Sequence, residues 1–556
     1  MRIVPSTLRA GTRDLPDVPP GVQYLIGCFL APLLAWLTTL VYRQVLSRCA
    51  DHPLIQIAQH YDLRAVVTAC AAYHHRAGPG APPTFSVEQL VRAELVRAWA
   101  SSCTDPELEW LLASNLLVRA FVGLALVGPT PDHSTLNRFH ASLATTTPTA
   151  LFADVAAFLD QIDPEPAAIT PQIVDTFAMA SPAAPTVSVI HLLGHLLVRL
   201  VTAWPPTLPM PAVLTTLDLP TLRHPPRWHT ADERQQRLQT VVTTAQQVLA
   251  AAPPALATRS DSERAPLDVL VQAIRKVIAD ETATDAVGHI TERPADDKGT
   301  YRCQSALDLQ ATFRKHEGSP ATFGVNAVIS TTTTRIRACV ALTGSTPDSE
   351  TPAVVVRQLQ AAEVPLPPYL IMDQAGGRGP TRAQVDVLSE GQTQMVALIP
   401  PSGGSDPRRF SVADFRFNRA QTSCTCPNGV VSTRVYAHGS NDGVFFRFLA
   451  RQCRDCPFWD QCRDPQANPK GHRTVFISTY HAYLREAEAF NHSVLGQQLL
   501  KGRWRVEPTI AWLVRYQGCR QARRVGLAAA QFQLLQACAV RNLLMWLSRR
   551  KRQAQA

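Results

Sequence analysis

The sequence predicts a mixed α/β protein in which one β-sheet is interrupted by a long helical insert and preceded by an all-α region. Runs rich in Val, Ile and Thr at residues 173–177 and 322–343, and the apolar run at residues 369–372, are typical of buried strands. Between the first two runs, apolar residues recur at helical spacing and are divided by proline pairs. The sheet is therefore expected to form from segments that are distant in sequence.

Residues 1–80 are interpreted as an apolar, helical N-terminal region. Residues 25–41 carry no charge, and Pro32 divides them. A membrane-spanning helix needs about 20 apolar residues, so this segment is at the short limit. A spanning helix and a buried helical hairpin are both compatible with the pattern. Pro32 and the lack of a second comparable segment favour the hairpin.

Residues 81–168 are expected to form a helical domain. Ser86 with Gln89, and Thr104 with Glu107, are capping-box pairs that mark helix starts. Leucines at helical spacing follow both pairs and supply an apolar face. The helices of this domain are expected to end near Leu143.

The third predicted domain spans residues 169–401 and carries a helical insert at about residues 178–300. Within the insert, residues 188–204 and 232–251 have helical patterns, residues 252–266 resemble a linker, and residues 280–300 are polar. After it, residues 322–343 predict a hairpin and residues 352–362 a helix. Residues 369–373 and 395–399 predict two further strands.

The cysteines are unevenly distributed. Of 13 in the chain, five fall between Cys424 and Cys462, inside a predicted cysteine-rich insert at residues 402–472. Closely spaced thiolates favour tetrahedral zinc, whereas unmetallated thiols and an iron–sulfur cluster are the alternatives. The predicted zinc ligands are Cys426, Cys453, Cys456 and Cys462, with Cys424 as a fifth candidate.

Positive charge is concentrated in the last predicted segment, residues 473–556. Residues 501–556 contain 12 Lys and Arg residues and one acid, Glu507, whereas the whole chain has a net charge of +10. Such a surface is typical of polyanion binding. An acid beside bound phosphates is unfavourable unless it holds a cation, so Glu507 is a candidate Mg²⁺ ligand. The alternative is an ordinary ion pair on a solvated helix.

Two further acids follow predicted strands. Asp175 follows Ile173 and Val174, and Asp373 follows a Leu-Ile-Met run. If both strands belong to one sheet, these carboxylates and Glu507 are suited to share divalent cations for phosphodiester chemistry. Either aspartate alone has a structural alternative as a turn cap.

Several segments resemble a bacterial DDE-type insertion-sequence transposase. Residues 85–90, 115–124 and 131–139 are similar to the helical N-terminal domain of that family. Val174-Asp175-Thr176 resembles the strand of its first acid, and Leu370-Ile371-Met372-Asp373 the strand of its second. Arg503-x3-Glu507 matches the centre of the Tyr-x2-Arg-x3-Glu-x6-Lys signature around its last acid. Residues 518–526 and Asn542-Leu543 fit its C-terminal helices.

The resemblance implies an RNase H-like catalytic domain that cleaves DNA at the terminal inverted repeats of an insertion sequence and joins the ends to target DNA. It implies Mg²⁺ or Mn²⁺ at Asp175, Asp373 and Glu507, and structural Zn²⁺ at the cysteines. Double-stranded DNA is the implied partner, with a homodimer on DNA, a cytoplasmic, nucleoid-associated location and no membrane contact. The DNA-binding residues expected on this basis are Arg503, Arg505, Arg515, Arg520, Arg523 and Arg524.

The chain also departs from the family pattern. The signature Tyr position is Leu500, the Lys position is Val514 with Arg515 beside it, and Gln374-Ala375-Gly376-Gly377 follows the second acid in place of x-Gly-Tyr. The alternative function is therefore a catalytically inactive, transposase-derived DNA-binding protein. Asp308 resembles an auxiliary acid of the family, with a helix-surface position as the alternative. Residues 549–552 are interpreted as a solvated tail that contacts phosphates.

Overall fold

The computed structural model describes residues 30–74, 83–166, 169–257, 260–299, 301–316, 318–400, 409–418, 422–437, 443–463 and 473–555. The part of the chain before the first strand is all-helical, as predicted. Its eight described helices are α1 (Ala31–Arg48), α2 (Pro53–His60), α3 (Arg64–Ala69), α4 (Val87–Trp99), α5 (Asp105–Ser114), α6 (Leu116–Val122), α7 (His133–Thr146) and α8 (Ala150–Ile162).

The two predicted capping boxes are present at the starts of α4 and α5. The Ser86 side chain accepts a hydrogen bond from the Gln89 backbone, and the Thr104 side chain accepts one from the Glu107 backbone. In return, the Gln89 and Glu107 side chains accept hydrogen bonds from the backbone N–H groups of Ser86 and Thr104. Because both pairs satisfy N–H groups that a helix leaves free, they fix where α4 and α5 begin. The helical region continues beyond Leu143, since α8 follows α7.

The uncharged segment was predicted to form a buried hairpin. Residues 25–29 lie outside the described residues, and for the described remainder the prediction is wrong. A single helix, α1, runs from Ala31 to Arg48. Pro32 is in its first turn, where backbone N–H groups have no partner within the helix, so the missing N–H of proline costs no hydrogen bond. Leu33, Trp36 and Leu40 are exposed along it. None of the helices that the structure describes combines the length and apolar composition needed to cross a membrane.

The mixed α/β prediction is confirmed. Six strands form the main sheet: β1 (Gln172–Ala180), β4 (Thr312–His316), β5 (Ser319–Thr331), β6 (Ile336–Thr343), β7 (Tyr369–Ile371) and β8 (Gln394–Val396). The strand order is β6-β5-β1-β7-β8, and β4 pairs with the first part of β5. Strand β5 is antiparallel to its neighbours β6 and β1, whereas β1, β7 and β8 are parallel to one another. Strand β7 ends at Ile371, opposite Ile173, so β1 continues in the same direction beyond the end of β7.

Helices cover both faces of this sheet. On one face are α14 (Thr351–Ala361) and α15 (Gly379–Leu388), which pack on Val174, Val328 and Leu370. On the other face is the long C-terminal helix α21 (Leu527–Gln555), with the N-terminal helices beyond it. The N-terminal helices and the sheet consequently share one hydrophobic core.

The segment between β1 and β4 has its own core. It contains α9 (Val189–Ala203), α10 (Ala212–Thr215), α11 (Leu219–Arg223), α12 (Ala231–Leu256), α13 (Asp261–Glu281) and the hairpin β2 (Thr282–Thr284) and β3 (Ile290–Glu292). The predicted linker is wrong, because α12 includes Pro253 and Pro254 and α13 includes Pro266. Burial of Leu256 and Leu267 offsets the helix-breaking tendency of these prolines.

The cysteine-rich segment forms two small sheets around Phe415, Phe446 and Phe448. Its elements are β9 (Arg416–Phe417), β10 (Cys424–Thr425), β11 (Val431–Ser432), β12 (Val435–Ala437), β13 (Gly443–Phe448), α16 (Ala450–Cys453), α17 (Trp459–Cys462) and β14 (Arg473–Ser478). The chain then returns to the main core through α18 (His481–His492), α19 (Val494–Lys501) and α20 (Glu507–Tyr516).

Candidate active site

Asp175 lies on β1, in the centre of the main sheet. Its Oδ1 accepts a hydrogen bond from the Thr176 N–H at 2.8 Å. Burial raises the pKa of Asp175 above its ordinary value, and repulsion from Asp373 and Asp348 raises it further, whereas the Thr176 N–H and Arg503 lower it. A cation beside Asp175 would relieve this repulsion.

Asp373 follows the neighbouring strand β7, which ends at Ile371, and caps the short 3-10 turn Gln374–Gly377. In the parallel pair of β1 and β7, Ile173 is opposite Ile371, so Asp175 and Asp373 are each two residues further along. Both line a pocket of about 250 Å³ at the end of the sheet. The structure thus brings together two acids that are distant in sequence.

Glu507 reaches the same region from α20. The helix begins at Glu507, with Pro508 in its first turn, where proline is tolerated, although Glu507 itself has α-helical backbone angles. The Glu507 side chain is 59% exposed. Arg503 lies between it and the sheet: Nη2 is 3.4 Å from Oε1 of Glu507, and Nη1 is 3.8 Å from Oδ2 of Asp175. The guanidinium therefore joins the first and third predicted acids.

A further acid in this pocket was missed from the sequence. Asp348, at the turn before α14, accepts hydrogen bonds from Thr176 Oγ1 at 3.0 Å and Asn326 Nδ2 at 2.9 Å. Arg314 on β4 donates through Nη2 to Thr176 Oγ1 at 2.6 Å and lies 3.3 Å from Oδ2 of Asp348. Asp348 is thus occupied by three donors and positions Arg314, which lines the pocket with Asp175 and Asp373. No local motif distinguishes Asp348 or Arg314, because their partners come from other strands.

The loop after Asp373 explains one departure from the family pattern. A Cβ atom added at Gly377 would lie 1.8 Å from the Leu398 carbonyl oxygen, so only glycine fits. Buried Arg382 donates to the carbonyls of Gly377, Met395 and Ala397 at 3.1, 2.6 and 2.6 Å. Burial lowers the pKa of Arg382 to about 10. These contacts hold the Asp373 loop against β8 without the aromatic residue of the family motif.

The six arginines predicted to bind DNA have different environments. Arg505, Arg515 and Arg520 are exposed. Arg523 donates to the backbone carbonyls of Ser102 and Ser101, and Arg524 forms an ion pair with Asp105 at 2.8 Å and a hydrogen bond with Asn137. The last two therefore also hold the chain before α21 against the N-terminal helices.

Beside this contact is a buried charge network. Arg97 contacts both Glu94 at 3.1 Å and Asp105 at 2.8 Å, and His140 Nδ1 lies 2.9 Å from Glu94. Burial alone would raise the pKa of Glu94, but Arg97 and His140 outweigh burial and lower it to about 2. Glu94 is therefore ionised in the folded protein at neutral pH, and the network joins α4, α5 and α7.

The predicted zinc ligands share one site. Cys426, Cys453, Cys456 and Cys462 line a cavity of about 30 Å³. Burial raises the pKa values of Cys453 and Cys462, and the neighbouring thiols raise them further. Cys424 instead packs in the core of the segment, where burial raises its pKa to about 12. The donor chemistry fits a soft metal, and Cys424 lies apart from it.

The described residues do not include a preformed metal centre. No group of three or more His, Cys, Asp or Glu side chains within them is arranged to hold a metal ion. Both the acids and the thiols would therefore have to adjust to close around an ion. For the acids, the nearest adjustment is removal of the Arg503 guanidinium from between Asp175 and Glu507.

Asp308 does not occupy the helix-surface position that was the alternative to an auxiliary acid. It is buried in a loop, where Oδ2 accepts from Ser181 Oγ at 2.6 Å and Oδ1 accepts from the Ala311 N–H at 3.2 Å. These hydrogen bonds tie the end of β1 to the segment before β4. The residue is therefore structural.

Comparison with protein families gave two matches. Residues 425–545 match a Transposase DDE domain, and residues 42–142 match a Transposase domain (DUF772). Both matches support the resemblance of this chain to DDE-type insertion-sequence transposases. Comparisons with curated proteins and with solved structures gave no match. The first matched range contains the four predicted zinc ligands and Glu507, and the second contains α2 to α6, whereas Asp175 and Asp373 lie outside both.

Proposed function

We propose that this transposase cleaves DNA at the inverted-repeat ends of an insertion sequence and joins the freed ends to target DNA. The observation that carries the proposal is that Asp175 shares a pocket with Asp373 and is linked through Arg503 to Glu507 at the start of α20. The strand order β6-β5-β1-β7-β8, with acids on the central strands, supports an RNase H-like catalytic domain.

The three carboxylates have the chemistry that divalent cations require. Hard cations prefer carboxylate oxygens, and the repulsion that raises the pKa of Asp175 favours a positive ligand at this point. Bound Mg²⁺ or Mn²⁺ would activate the attacking oxygen and stabilise the leaving oxygen of the phosphodiester. Asp175, Asp373 and Glu507 would hold these ions.

The arginines around the acids would bind and orient the DNA backbone. Arg503 can exchange its carboxylate contacts for a phosphate once cations neutralise Asp175 and Glu507, since a guanidinium binds both groups in a similar geometry. Arg314 is held by Asp348 and Thr176 through Nη2. Arg314 lines the pocket that contains Asp175 and Asp373, where it would stabilise charge on the reacting phosphate.

DNA binding in this proposal extends over the basic C-terminal surface. Arg505, Arg515 and Arg520 are exposed and would contact phosphates, whereas Arg523 and Arg524 also hold the N-terminal helices. The N-terminal helical domain would contribute to end recognition, and two copies would assemble on paired ends. The cysteine segment would be held by zinc.

The decisive experiment uses duplex DNA that carries the ends of the element encoding this chain, with Mg²⁺ or Mn²⁺. Wild-type protein is expected to cleave and join these ends, whereas Asp175→Asn, Asp373→Asn and Glu507→Gln are expected to bind DNA but not cleave it. Asp296→Asn, at an exposed position outside the pocket, is the matched control. Cleavage by a triad variant would exclude that residue. An inactive wild type that binds the ends would establish the alternative, a catalytically inactive DNA-binding protein.

A further inference from the structure

The structure contains a second cleft, which shares no lining residue with the pocket of Asp175 and Asp373. It has a volume of about 940 Å³ and is bounded by α2, the end of α4, α20 and the last part of α21. Nine of the 19 residues that line it are aromatic or basic, Asp51 also lines it, and the part contributed by α20 consists of Trp512, Tyr516 and the adjoining Gln517. The cleft is therefore unlike the acidic pocket on the sheet.

The aromatic part of the cleft presents ring surface to solvent. The rings of Trp512 and Tyr516 are 4.8 Å apart at 52°, and the two residues are 38% and 54% exposed. Large aromatic residues are normally buried, because each removes much apolar area from water. An exposed pair inside a cleft indicates a ligand with flat, stackable surfaces.

The basic part of the cleft is poorly neutralised. The Arg541 guanidinium lies 4.6 Å from the centre of the Trp512 ring. Among the described residues its Nε has no hydrogen-bond partner, and no carboxylate forms an ion pair with it. Its burial lowers the pKa of Arg541 to about 10, so the site favours an anion. The exposed end of α21 adds Arg550, Lys551 and Arg552 to the same cleft.

We propose that this cleft binds single-stranded DNA, with bases stacked on Trp512 and Tyr516 and phosphates held by Arg541 and the basic end of α21. Interleaved aromatic and basic side chains provide this combination of contacts, which duplex DNA cannot use because its bases are already stacked. The cleft has room for a small number of nucleotides. Arg549 is excluded from the set, because it donates to Asp163 at 2.6 Å.

Helix α20 connects the cleft to the acids. At about 100° per residue, Arg515 lies about 80° around the helix from Glu507, Trp512 about 140° and Tyr516 about 180°. A strand that leaves Glu507 would therefore pass exposed Arg515 before it reaches the aromatic pair. The inference rests on the proposed function only for the source of this strand, namely a DNA end opened during cleavage.

The test compares two labelled strands of equal length by fluorescence anisotropy, with full-length protein and no added divalent metal. One strand is oligothymidylate, and the other is an abasic strand that retains the phosphates but lacks bases. Wild-type protein is expected to bind oligothymidylate more tightly, by about 5- to 150-fold for each stacked base. Equal affinity for the two strands would overturn the proposal, because the cleft would then bind phosphates alone.

Variants locate the base contacts. Tyr516→Ala and Trp512→Leu are expected to remove most of the preference for oligothymidylate, and Tyr516→Phe to retain it. Trp110→Ala, at a 69% exposed tryptophan on α5, is the control for general loss of aromatic surface. Thermal unfolding checks that each variant is folded. A preference that persists in folded Tyr516→Ala and Trp512→Leu proteins would overturn the assignment to this cleft. The binding measurement contains no divalent metal and does not depend on cleavage. A protein that fails to cleave DNA can therefore still confirm or overturn single-strand binding in this cleft.

Discussion

Nη1 of Arg503 lies 3.8 Å from Oδ2 of Asp175, and the same guanidinium contacts Glu507 at 3.4 Å. A side chain from the turn before α20 thus supplies the positive charge that joins an acid of the sheet to an acid of a helix. Because a divalent cation would take over this neutralising role, Arg503 is the residue whose position depends most on metal binding.

Replacement of Arg503 separates its functional role from its stabilising role. Arg503 and Glu507 are both partly exposed, so Arg503→Gln is expected to change the free energy of unfolding by less than about 1 kcal/mol. Cleavage of end DNA is expected to fall at least about tenfold, because a phosphate contact is lost. Arg357→Gln, at an exposed arginine on α14, is the control. A loss of activity that parallels loss of thermal stability would contradict this role.

Arg314 and Asp348 are expected to act as one unit. Arg314→Gln should lower the rate of cleavage by about 10²- to 10³-fold, as for loss of one donor to a developing charge. Arg314→Lys keeps the charge but not the planar donor set, so an intermediate rate is expected. Asp348→Asn should reduce kcat with little change in KM, because Asp348 holds Arg314 and does not contact the DNA. Steady-state kinetics would show the split, and equal losses in Arg314→Lys and Arg314→Gln would oppose the assignment.

The exposed arginines should dominate the salt dependence of DNA binding. Each phosphate contact contributes about 0.9 to the slope of log K against log salt, so the Arg505, Arg515 and Arg520 triple Gln variant should lower the slope by about 3. Arg223, Arg227 and Arg357, which are exposed elsewhere, give a charge-matched control triple. Binding isotherms at several salt concentrations provide the measurement. An unchanged slope would place the DNA on a different surface.

Glu94 predicts a pH dependence of stability. Its pKa of about 2 in the folded protein is below its ordinary value of 4.5, so its stabilising effect is present above pH 4.5 and is lost as pH falls toward 2. Glu94→Gln is expected to cost about 3–5 kcal/mol at neutral pH, because buried Arg97 loses one of its two carboxylate partners. Glu88→Gln, at an exposed ion pair with Arg92, should cost less than about 1 kcal/mol. Denaturant unfolding at several pH values measures both, and similar costs in the two variants would count against a buried network.

The cysteine site is expected to bind about one zinc ion per chain, since four thiolates close a tetrahedral site. Cys453→Ser with Cys456→Ser should remove the metal and lower the unfolding temperature of this segment. Cys424→Ala should retain the zinc, because Cys424 packs in the phenylalanine core. Metal analysis of purified protein is the measurement. Wild-type protein that is metal-free but equally heat-resistant would argue against a structural metal.

Local chemistry in the sequence determined where several elements begin. The capping pairs Ser86–Gln89 and Thr104–Glu107 set the starts of α4 and α5, and Pro508 set the start of α20 at Glu507. Alternation and β-branched residues identified β1, β5, β6 and β7. These features can be predicted from the sequence because each depends on contacts within a few residues, or on the periodicity of one apolar face.

Only the tertiary structure decided the features that depend on distant partners. The linker prediction was wrong because burial in a separate core kept Pro253 and Pro266 within helices. The roles of Asp348 and Arg314 follow from the register of β4, β5 and β1, and Asp308 became structural through Ser181. Sequence alone identified Asp175, Asp373 and Glu507 as candidates, but strand order placed Asp175 and Asp373 in one pocket, and the contact of Arg503 with Asp175 linked Glu507 to the sheet. Strand order depends on packing of the whole core, which no local pattern records.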